Sequence, residues 1–237
     1  QVIPRPGVDG AACKDDPDDC DDSSGLFADI ALLRLTSSTA SDNALSGVQA
    51  TLAWRYPGED VAGQKVGAGS HDGGSNPTGI LLQAPDTTDS TSDSDGMFET
   101  TTDQIDFGDS GGPFYVDGRI VGDLWGWEWD LVDGFSNLYT SVPRHLDWIL
   151  ANIGYRWSGQ PAQSNTSFSG STIEAFINST ERRCQYACEK TSSCQAYAHH
   201  AATQVCGLFT GVTGVTVASG WKGALRHGVS SGNSNEV

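Results

Sequence analysis

The sequence predicts a mainly β domain followed by a small, disulfide-rich α+β domain. Two observations carry this prediction. Over residues 1–142, short apolar runs alternate with clusters of Gly, Ser, Asp and Thr, a pattern typical of many short strands joined by turns. Later in the 237-residue chain, four of its six cysteines lie between Cys184 and Cys206. Because a segment of about 60 residues buries little core, two disulfides would supply the stability that it lacks.

The first domain is expected over residues 1–155, with several strands and a closing helix. Strands are predicted over 30–35, 48–54 and 80–82, and the Asp-, Ser- and Thr-rich stretch 86–96 is predicted to be an exposed loop. A helix is predicted near residue 143, because apolar residues recur at helical spacing at Leu146, Ile149, Leu150 and Ile153. Pro143 suits its first turn and Gly154 suits its end.

The second domain is expected over residues 171–228, after a linker of residues 156–170 and before a flexible tail of residues 229–237. The segment Asn178-Ser-Thr-Glu181 resembles a capping box with Asn178 at the cap, so a helix is predicted to follow. That helix places Cys184 and Cys188 four residues apart on one face. Strands are predicted over 205–209 and 215–217.

Composition and charge exclude two classes of partner and indicate a compartment. Thirteen Lys and Arg against 30 Asp and Glu give a net charge of −17, which argues against binding to nucleic acid. No apolar run approaches the roughly 18 residues of a membrane span, so no membrane partner is expected. The even number of cysteines and the glycosylation sequons at Asn165 and Asn178 indicate a secreted, extracellular glycoprotein.

The string Gly108-Asp109-Ser110-Gly111-Gly112-Pro113 is the part of the sequence most indicative of chemistry. A serine flanked by glycines lets a substrate carbonyl approach the backbone closely, and lets successive N–H groups point at one oxyanion. Gly-Asp-Ser-Gly by itself also fits a glycine-rich turn without function. The segments around it decide between the two interpretations.

Four segments in the same order resemble the chymotrypsin/trypsin-like serine endopeptidases, over residues 1 to about 154. They are residues 29–35 with the sequence DIALLRL, Gly108 to Pro113, residues 121–126 with VGDLWG, and residues 139–149 with YTSVPRHLDWI. The resemblance implies a chymotrypsin-like double β-barrel, incomplete in this chain because the family's first strands are missing. It also implies a zymogen that is activated by cleavage.

The resemblance assigns roles to individual residues. Ser110 is implied to be the nucleophile and Asp29 the carboxylate that orients a histidine, with the N–H groups of Gly108 and Ser110 as the oxyanion hole. Asp109 would pair with the amino terminus created by zymogen cleavage. Substrate-binding residues are implied at Gln104, which reads the substrate's P1 side chain (the one preceding the cleaved bond), and at Trp125, Gly126 and Trp127.

The specificity of such a site remains open at the sequence level. Glu99 and Asp106 stand where the family often carries cysteines. If the alignment with the family shifts by one residue, Asp103 lies at the base of the pocket for the P1 side chain. It then gives a preference for Arg or Lys. Trp127 and Trp129 suggest an apolar extended site, and exposed aromatic residues on a loop are the alternative.

The family's catalytic histidine has no counterpart here. It lies in an Ala-Ala-His-Cys-like segment roughly 45 residues before the aspartate, whereas 28 residues precede Asp29. The histidines on the closing helix and in the second domain are predicted to lie on the surface, and the first to lie in a loop: His71, His145, His199, His200 and His227. An unaided Ser110 is a poor nucleophile because nothing takes its proton.

Three explanations fit the missing histidine: a shorter partner chain from the same precursor, an incomplete sequence, or a degenerate homologue that only binds. The intact segment around Ser110 favours the first. The expected partner therefore carries the histidine and the first barrel strands, in a heterodimer that cleaves a protein or peptide substrate. The alternative is an inactive homologue that acts through its second domain.

The second domain resembles a PAN/apple module, on the spacing of Cys184, Cys188 and Cys194 and on Cys206-Gly-Leu-Phe. Spacing alone leaves all 15 pairings of six cysteines open. The resemblance implies the pairs Cys184–Cys206 and Cys188–Cys194, which leaves Cys13–Cys20 as a third. Such modules bind proteins or glycans, and a purely structural appendage is the alternative.

Two acidic clusters raise the question of a cation, although no cofactor and no metal ligand is assigned. One cluster comprises Asp15, Asp16, Asp18 and Asp19; the other comprises Asp86, Asp89, Asp93 and Asp95. Oxygen-rich loops bind Ca²⁺ in some members of the family, but neither cluster has the full twelve-residue calcium pattern. Solvated acidic loops are the expectation, with Ca²⁺ as the alternative.

Overall fold

The computed structural model describes residues 2–4, 30–33, 50–69, 81–90, 92–102, 108–130 and 134–230. The chain divides into two compact units, Gln1–Leu146 and Asp147–Val237. The described residues form twelve strands and two helices, so the fold is mainly β as the sequence predicts. No helix in these ranges combines the length and the apolar character that a membrane span needs.

The first unit contains a closed sheet of short strands. Its strands are β3 (Thr51–Leu52), β4 (Ala62–Gly67), β5 (Leu82–Thr87), β6 (Met97–Thr100), β7 (Pro113–Val116), β8 (Arg119–Asp130) and β9 (Gly134–Ser141). They follow the order β5-β4-β7-β8-β9-β6, with β3 paired to β8. A bridge between Thr88 and Thr100 joins the two ends of this order, so the sheet closes into a barrel.

A separate pair of strands lies near the start of the chain. β1 (Val2–Pro4) pairs antiparallel with β2 (Ala31–Leu33), with Ile3 opposite Leu32. The strand predicted over residues 30–35 is therefore confirmed over its described part. The strand predicted over 48–54 is confirmed at β3, and Leu82, the last residue of the third predicted strand, begins β5.

Aromatic side chains fill one part of the barrel interior. Phe98 stacks on Tyr139 at 5.3 Å between ring centroids, and Phe114 lies 5.9 Å from Phe98. Gly122 provides the necessary space, because a Cβ there would lie 2.6 Å from the ring of Phe98. Large offset or tilted rings of this kind bury much apolar area and contribute most of the packing energy of a small core.

The closing helix α1 (Val142–Asn152) follows β9 directly, as predicted. Leu146 and Leu150 are completely buried, and Gly154 takes the left-handed φ of +71° that terminates a helix readily. Ile153, the last residue of the predicted apolar stripe, follows the helix and is exposed.

The prediction of an exposed loop over residues 86–96 was wrong at several positions. β5 continues through Thr87, and both Asp86 and Asp93 are buried. Each carboxylate has polar partners: Asp86 accepts from Lys65, and Asp93 accepts from the Ser141 hydroxyl. Burial of a charge is tolerated when it is paired in this way, and composition alone does not reveal such pairing.

The second unit contains a three-stranded sheet and one helix. Strand β10 spans Gln163–Phe176, helix α2 spans Glu181–Lys190, β11 spans Ala196–His200 and β12 spans Val205–Leu225. β12 pairs antiparallel with β10, and residues 196–200 pair both with 205–209 and with 221–225. β10 and β12 shift register three times, near Ser164, Ser169 and Thr172.

Three predicted boundaries in this unit are corrected. Residues 163–170, expected in the linker, form the start of β10. Thr180 rather than Asn178 caps α2, and its Oγ1 accepts from the Arg183 N–H, while Asn178 adopts a left-handed φ of +55°. The strands predicted at 205–209 and 215–217 are parts of the single strand β12, because its Gly and Ser residues bend it without ending its pairing.

Candidate functional site

The segment around Ser110 is a tight turn attached to β8. Gly108 and Gly111 have φ values of +95° and +83°, which only glycine adopts readily. The Gly111 N–H donates to the Leu124 carbonyl at 2.8 Å, and the Leu124 N–H donates to the Gly112 carbonyl at 2.9 Å. These two bonds fix the turn beside residues 125–127, and Ser110 is exposed on it.

The carboxylate of Asp109 is held by the end of β4 and the residues that follow it. Its Oδ1 accepts from the Gly69 N–H at 2.6 Å, and its carbonyl accepts from the Gly112 N–H at 2.8 Å. A Cβ at Gly67 would lie 2.1 Å from Oδ1, and one at Gly69 would lie 2.5 Å away. The two glycines therefore form a socket for this carboxylate. The predicted pairing of Asp109 with a new amino terminus stays a prediction.

The buried Tyr139 on β9 contributes no charge at neutral pH. Burial raises the pKa of its phenol, and the negative charges of Asp86 and Asp109 raise this pKa further. The phenol therefore stays protonated.

The residues predicted to bind substrate lie along β8. Trp125 and Gly126 are half-buried, and a Cβ at Gly126 would meet open space. Trp127 is 55% exposed, which is a large apolar surface for a β-strand residue to present to solvent. The structure therefore brings three of the predicted binding residues next to the turn of Ser110, and their binding role stays a prediction.

Several predicted residues lie outside the described ranges: Cys13, Cys20, Asp29, His71, Asp103, Gln104 and Asp106. The first acidic cluster, residues 15–19, lies outside them too. Of Trp129, only the backbone within β8 is described.

Two of the histidines expected on the surface are buried. His145 is fully buried on α1, and the Nε2 atom of His199 lies 2.8 Å from the Ser179 carbonyl. His200 is half-buried and its Nδ1 accepts from the Thr203 N–H at 3.2 Å, while His227 is exposed. The prediction failed for His199 because its partner, the Ser179 carbonyl, lies 20 residues away in the chain and the local sequence does not reveal it.

The two disulfides implied for the second unit are confirmed. Cys184 pairs with Cys206 and Cys188 pairs with Cys194, at Cα–Cα distances of 5.6 and 5.2 Å. The sequon residues Asn165 and Asn178 are both exposed, and both have a left-handed φ. Their glycosylation stays a prediction.

Within the described ranges, no three His, Cys, Asp or Glu side chains come together as a metal site would require. Asp86, a member of the second acidic cluster, places both carboxylate oxygens in hydrogen bonds, Oδ2 to Lys65 and Oδ1 to the Thr87 N–H. An ammonium group already compensates its charge, so Asp86 does not fit the calcium hypothesis.

Comparison with known families decides the assignment. The sequence profile described as Trypsin matches residues 19–149, more than half of the chain. The chain belongs to the trypsin family. A second profile, the PAN domain, matches residues 162–228. This trypsin-family chain therefore has a serine protease fold followed by a PAN domain, as the resemblance implied.

Three solved structures are similar to parts of this chain. A mutant of human heparin binding protein is 19% identical, with a TM-score of 0.41 over 54% of this chain and 56% of that one. Mouse neuropsin, described as a serine protease, is 19% identical, with a TM-score of 0.46 over 65% and 70%. A scabies mite inactivated protease paralogue is 21% identical, with a TM-score of 0.38 over 45% and 54%.

The trypsin-family chain thus spans little more than half the length of the first and third of these structures. Among curated protein sequences, none matches significantly.

The socket for Asp109 leads to a prediction on the reactivity of Ser110. Gly67→Ala is expected to slow reaction of Ser110 with a fluorophosphonate by about 10²-fold, because the new Cβ displaces the carboxylate that holds the turn. Labelling rates measured by mass spectrometry test this. Gly63→Ala is the matched control, since its Cβ would meet the Phe114 ring at 2.4 Å in the same strand without touching Asp109. Equal rates in the two folded variants would contradict the prediction.

Proposed function

We propose that this trypsin-family chain is a secreted serine endopeptidase that cleaves peptide bonds through an acyl-enzyme at Ser110. The single observation that carries the proposal is the Gly108–Pro113 turn. It keeps Ser110 exposed and is hydrogen-bonded to β8 beside the half-buried Gly126 and the exposed Trp127. Two glycines at positive φ and a carboxylate held by the Gly69 N–H keep this serine in position, which favours an intact nucleophile over a degenerate one.

The proposed reaction has two steps. Ser110 Oγ attacks the substrate carbonyl while a histidine takes its proton, and the N–H groups of Gly108 and Ser110 stabilise the oxyanion. The histidine then gives the proton to the leaving amine, and water hydrolyses the ester on Ser110 by the reverse sequence. Asp29 holds the histidine in the tautomer that accepts the proton. Both disulfides and the two sequons support an extracellular setting for this reaction.

The histidine in this proposal comes from a second, shorter chain. The positions of the described histidines support this proposed source. His145 is buried on α1, and His199 and His200 have hydrogen-bond partners within the second unit. None of them follows the sequence pattern of the family's catalytic histidine. The proposed active form is therefore a heterodimer that arises from a cleaved zymogen.

The PAN domain is proposed to bind a protein or a glycan and so to localise the enzyme. This domain also supports the rival function, an inactive homologue that acts by binding alone. The observation that favours the rival is that residues 162–228 match the PAN domain, a unit separate from the part of the chain that contains Ser110.

Labelling with a fluorophosphonate tests the enzymatic proposal. The native protein is expected to be labelled at Ser110, with Ser110→Ala abolishing the label, because only an activated serine reacts at a useful rate. Ser92→Ala is the control, since Ser92 is an exposed serine of the same unit whose hydroxyl donates to that of Ser94. Labelling elsewhere, or none in native material, would favour the binding protein.

The source of the histidine is tested separately. Mass spectrometry of native material after gel filtration is expected to identify a second chain with an Ala-Ala-His-Cys-like segment. Labelled material that contains this chain alone would contradict the heterodimer while leaving the protease intact.

A further inference from the structure

A cavity of about 480 Å³ opens on the second unit beside the start of α2. The described residues that line it are all polar or charged: Asp147, Thr180, Glu181, Arg182, Gln185 and Lys222. These six residues are called the polar cleft below. Its volume lies within the roughly 300–1,000 Å³ of sites that bind small molecules, although such sites are usually lined by apolar side chains. A ligand of the polar cleft must therefore be recognised through charge and hydrogen bonds.

The two carboxylates of the polar cleft are compensated by partners within the second unit. Asp147 Oδ2 accepts from the Arg183 guanidinium at 3.0 Å. Glu181 accepts from the Lys222 ammonium at 2.7 Å and from the Tyr197 hydroxyl at 3.0 Å. A carboxylate has about four lone-pair sites, so each can still accept a hydroxyl group from a ligand. Because their charges are balanced, these carboxylates repel an anion only weakly.

The cations of the polar cleft are more accessible than its carboxylates. Arg182 is exposed, and the Lys222 side chain is 48% exposed, against 26% for Glu181 and 32% for Asp147. Glu181 takes one of the three N–H donors that the Lys222 ammonium offers. Together with Arg183, which is bonded to Asp147, three cations stand against two carboxylates. The polar cleft therefore has a surplus of one positive charge, on side chains that a ligand can reach.

The charges of the chain are unequally divided between its two units. Residues 1–146 contain 25 Asp and Glu against seven Lys and Arg, whereas residues 147–237 contain five against six. An anion is therefore repelled by the first unit and meets a nearly neutral second unit. A densely charged polyanion is also repelled by the net charge of −17, and a ligand with a single negative charge is repelled far less.

We propose that the polar cleft binds a saccharide that carries one carboxylate among neutral hydroxyl groups. Arg182 and Lys222 donate to the carboxylate, and hydroxyl groups of the sugar donate to Asp147 and Glu181. Gln185 both donates to and accepts from further hydroxyl groups. A saccharide suits the polar cleft better than an acidic peptide does, because hydroxyl groups surround its ring and reach both carboxylates at once. This inference rests on the binding role proposed for the PAN domain, since it assigns a ligand class and a place to that role.

Titration of the ¹⁵N-labelled native protein with pairs of disaccharides tests this assignment. One member of each pair ends in glucuronate or galacturonate, and the other ends in the neutral glucose or galactose. At least one acidic disaccharide is expected to bind about tenfold more tightly than its neutral counterpart, because an ionised acceptor makes stronger hydrogen bonds. It is also expected to shift the amide signals of Arg182, Gln185 and Lys222. Equal affinities within both pairs would overturn the proposal.

Arg182→Gln is expected to remove this tenfold preference and to leave the affinity for the neutral disaccharide unchanged. The substitution removes one cation but keeps an amide that bonds to hydroxyl groups, whereas a purely structural role would weaken both disaccharides together. Lys190→Gln is the matched control, since it removes an exposed lysine at the other end of α2, 5.7 Å from the Tyr186 ring. Its preference is expected to equal that of the wild type. A preference that survives Arg182→Gln would overturn the proposal.

Other classes of ligand are separated in the same titration. A glutamyl tripeptide and a heparin tetrasaccharide are both expected to bind more weakly than the acidic disaccharide, because the first has few hydroxyl groups and the second has many charges. Tighter binding of either would overturn the inference but keep a binding role for the PAN domain. Binding of none of these probes would overturn the inference and remove glycans from that role. Fluorophosphonate labelling of Ser110 reports on the endopeptidase separately in every case.

Discussion

Asp29→Asn is expected to lower the kcat of the active protease by about 10⁴, with little change in KM. An asparagine at this position holds the catalytic histidine in the tautomer that cannot accept the Ser110 proton, although the overall geometry is kept. Steady-state hydrolysis of a peptide substrate by the proposed two-chain form measures this. The expected loss of kcat is large because the carboxylate stabilises the transition state. It contributes little to substrate binding in the ground state, so KM hardly changes.

Asp117→Asn provides the control for this measurement. Asp117 lies on the exposed turn between β7 and β8 with a left-handed φ of +50°, a conformation that asparagine tolerates well. The kcat of the Asp117→Asn variant is expected to match that of the wild type. An unchanged kcat in Asp29→Asn would remove Asp29 from the catalytic group and would require another carboxylate to orient the histidine.

Removal of the disulfide between Cys184 and Cys206 is expected to destabilise the second unit by about 3 kcal/mol. This bridge closes a loop of 22 residues between α2 and β12, and loop-closure entropy in the unfolded chain sets the size of the effect. Removal of Cys188–Cys194, which closes a loop of only 6 residues, is expected to cost about 2 kcal/mol. Both pairs are replaced by alanine, since all four cysteines are buried.

Hydrogen exchange of the amides of β11 measures these losses. β11 is paired on both sides by β12, so its slowest amides report the opening of the whole second unit. Equal losses for the two pairs, or a larger loss for Cys188–Cys194, would show that native packing rather than loop length controls their contribution.

The sequence predicts secondary-structure elements better than it predicts which distant side chains contact one another. The helix α1 and the cysteine-bearing face of α2 followed from spacing, because helical periodicity is a local property of the chain. The burial of Asp86 did not follow, because its partner Lys65 is 21 residues away and only the pairing of β4 with β5 brings the two together. An acidic stretch looks the same in sequence whether it is solvated or paired.

In the candidate site, too, local motifs were predicted and contacts between distant residues were not. Ser110 and the residues of β8 were predicted from motifs, and the structure places them side by side. The socket for Asp109 was not predicted, although a signal existed in the two glycines at residues 67 and 69 that flank one alanine. Closely spaced glycines at the end of a strand indicate an approaching group, but the sequence does not say which one.

The sheet of the second unit ends in β10, whose outer side has no neighbouring strand in the described chain. A regular edge of 14 residues would offer another polypeptide a continuous row of N–H and C=O groups to pair with. The three register shifts interrupt this row, and a glycan on Asn165, beside the first shift, would obstruct it further. The irregular edge therefore hinders another polypeptide from pairing along β10 and extending the sheet.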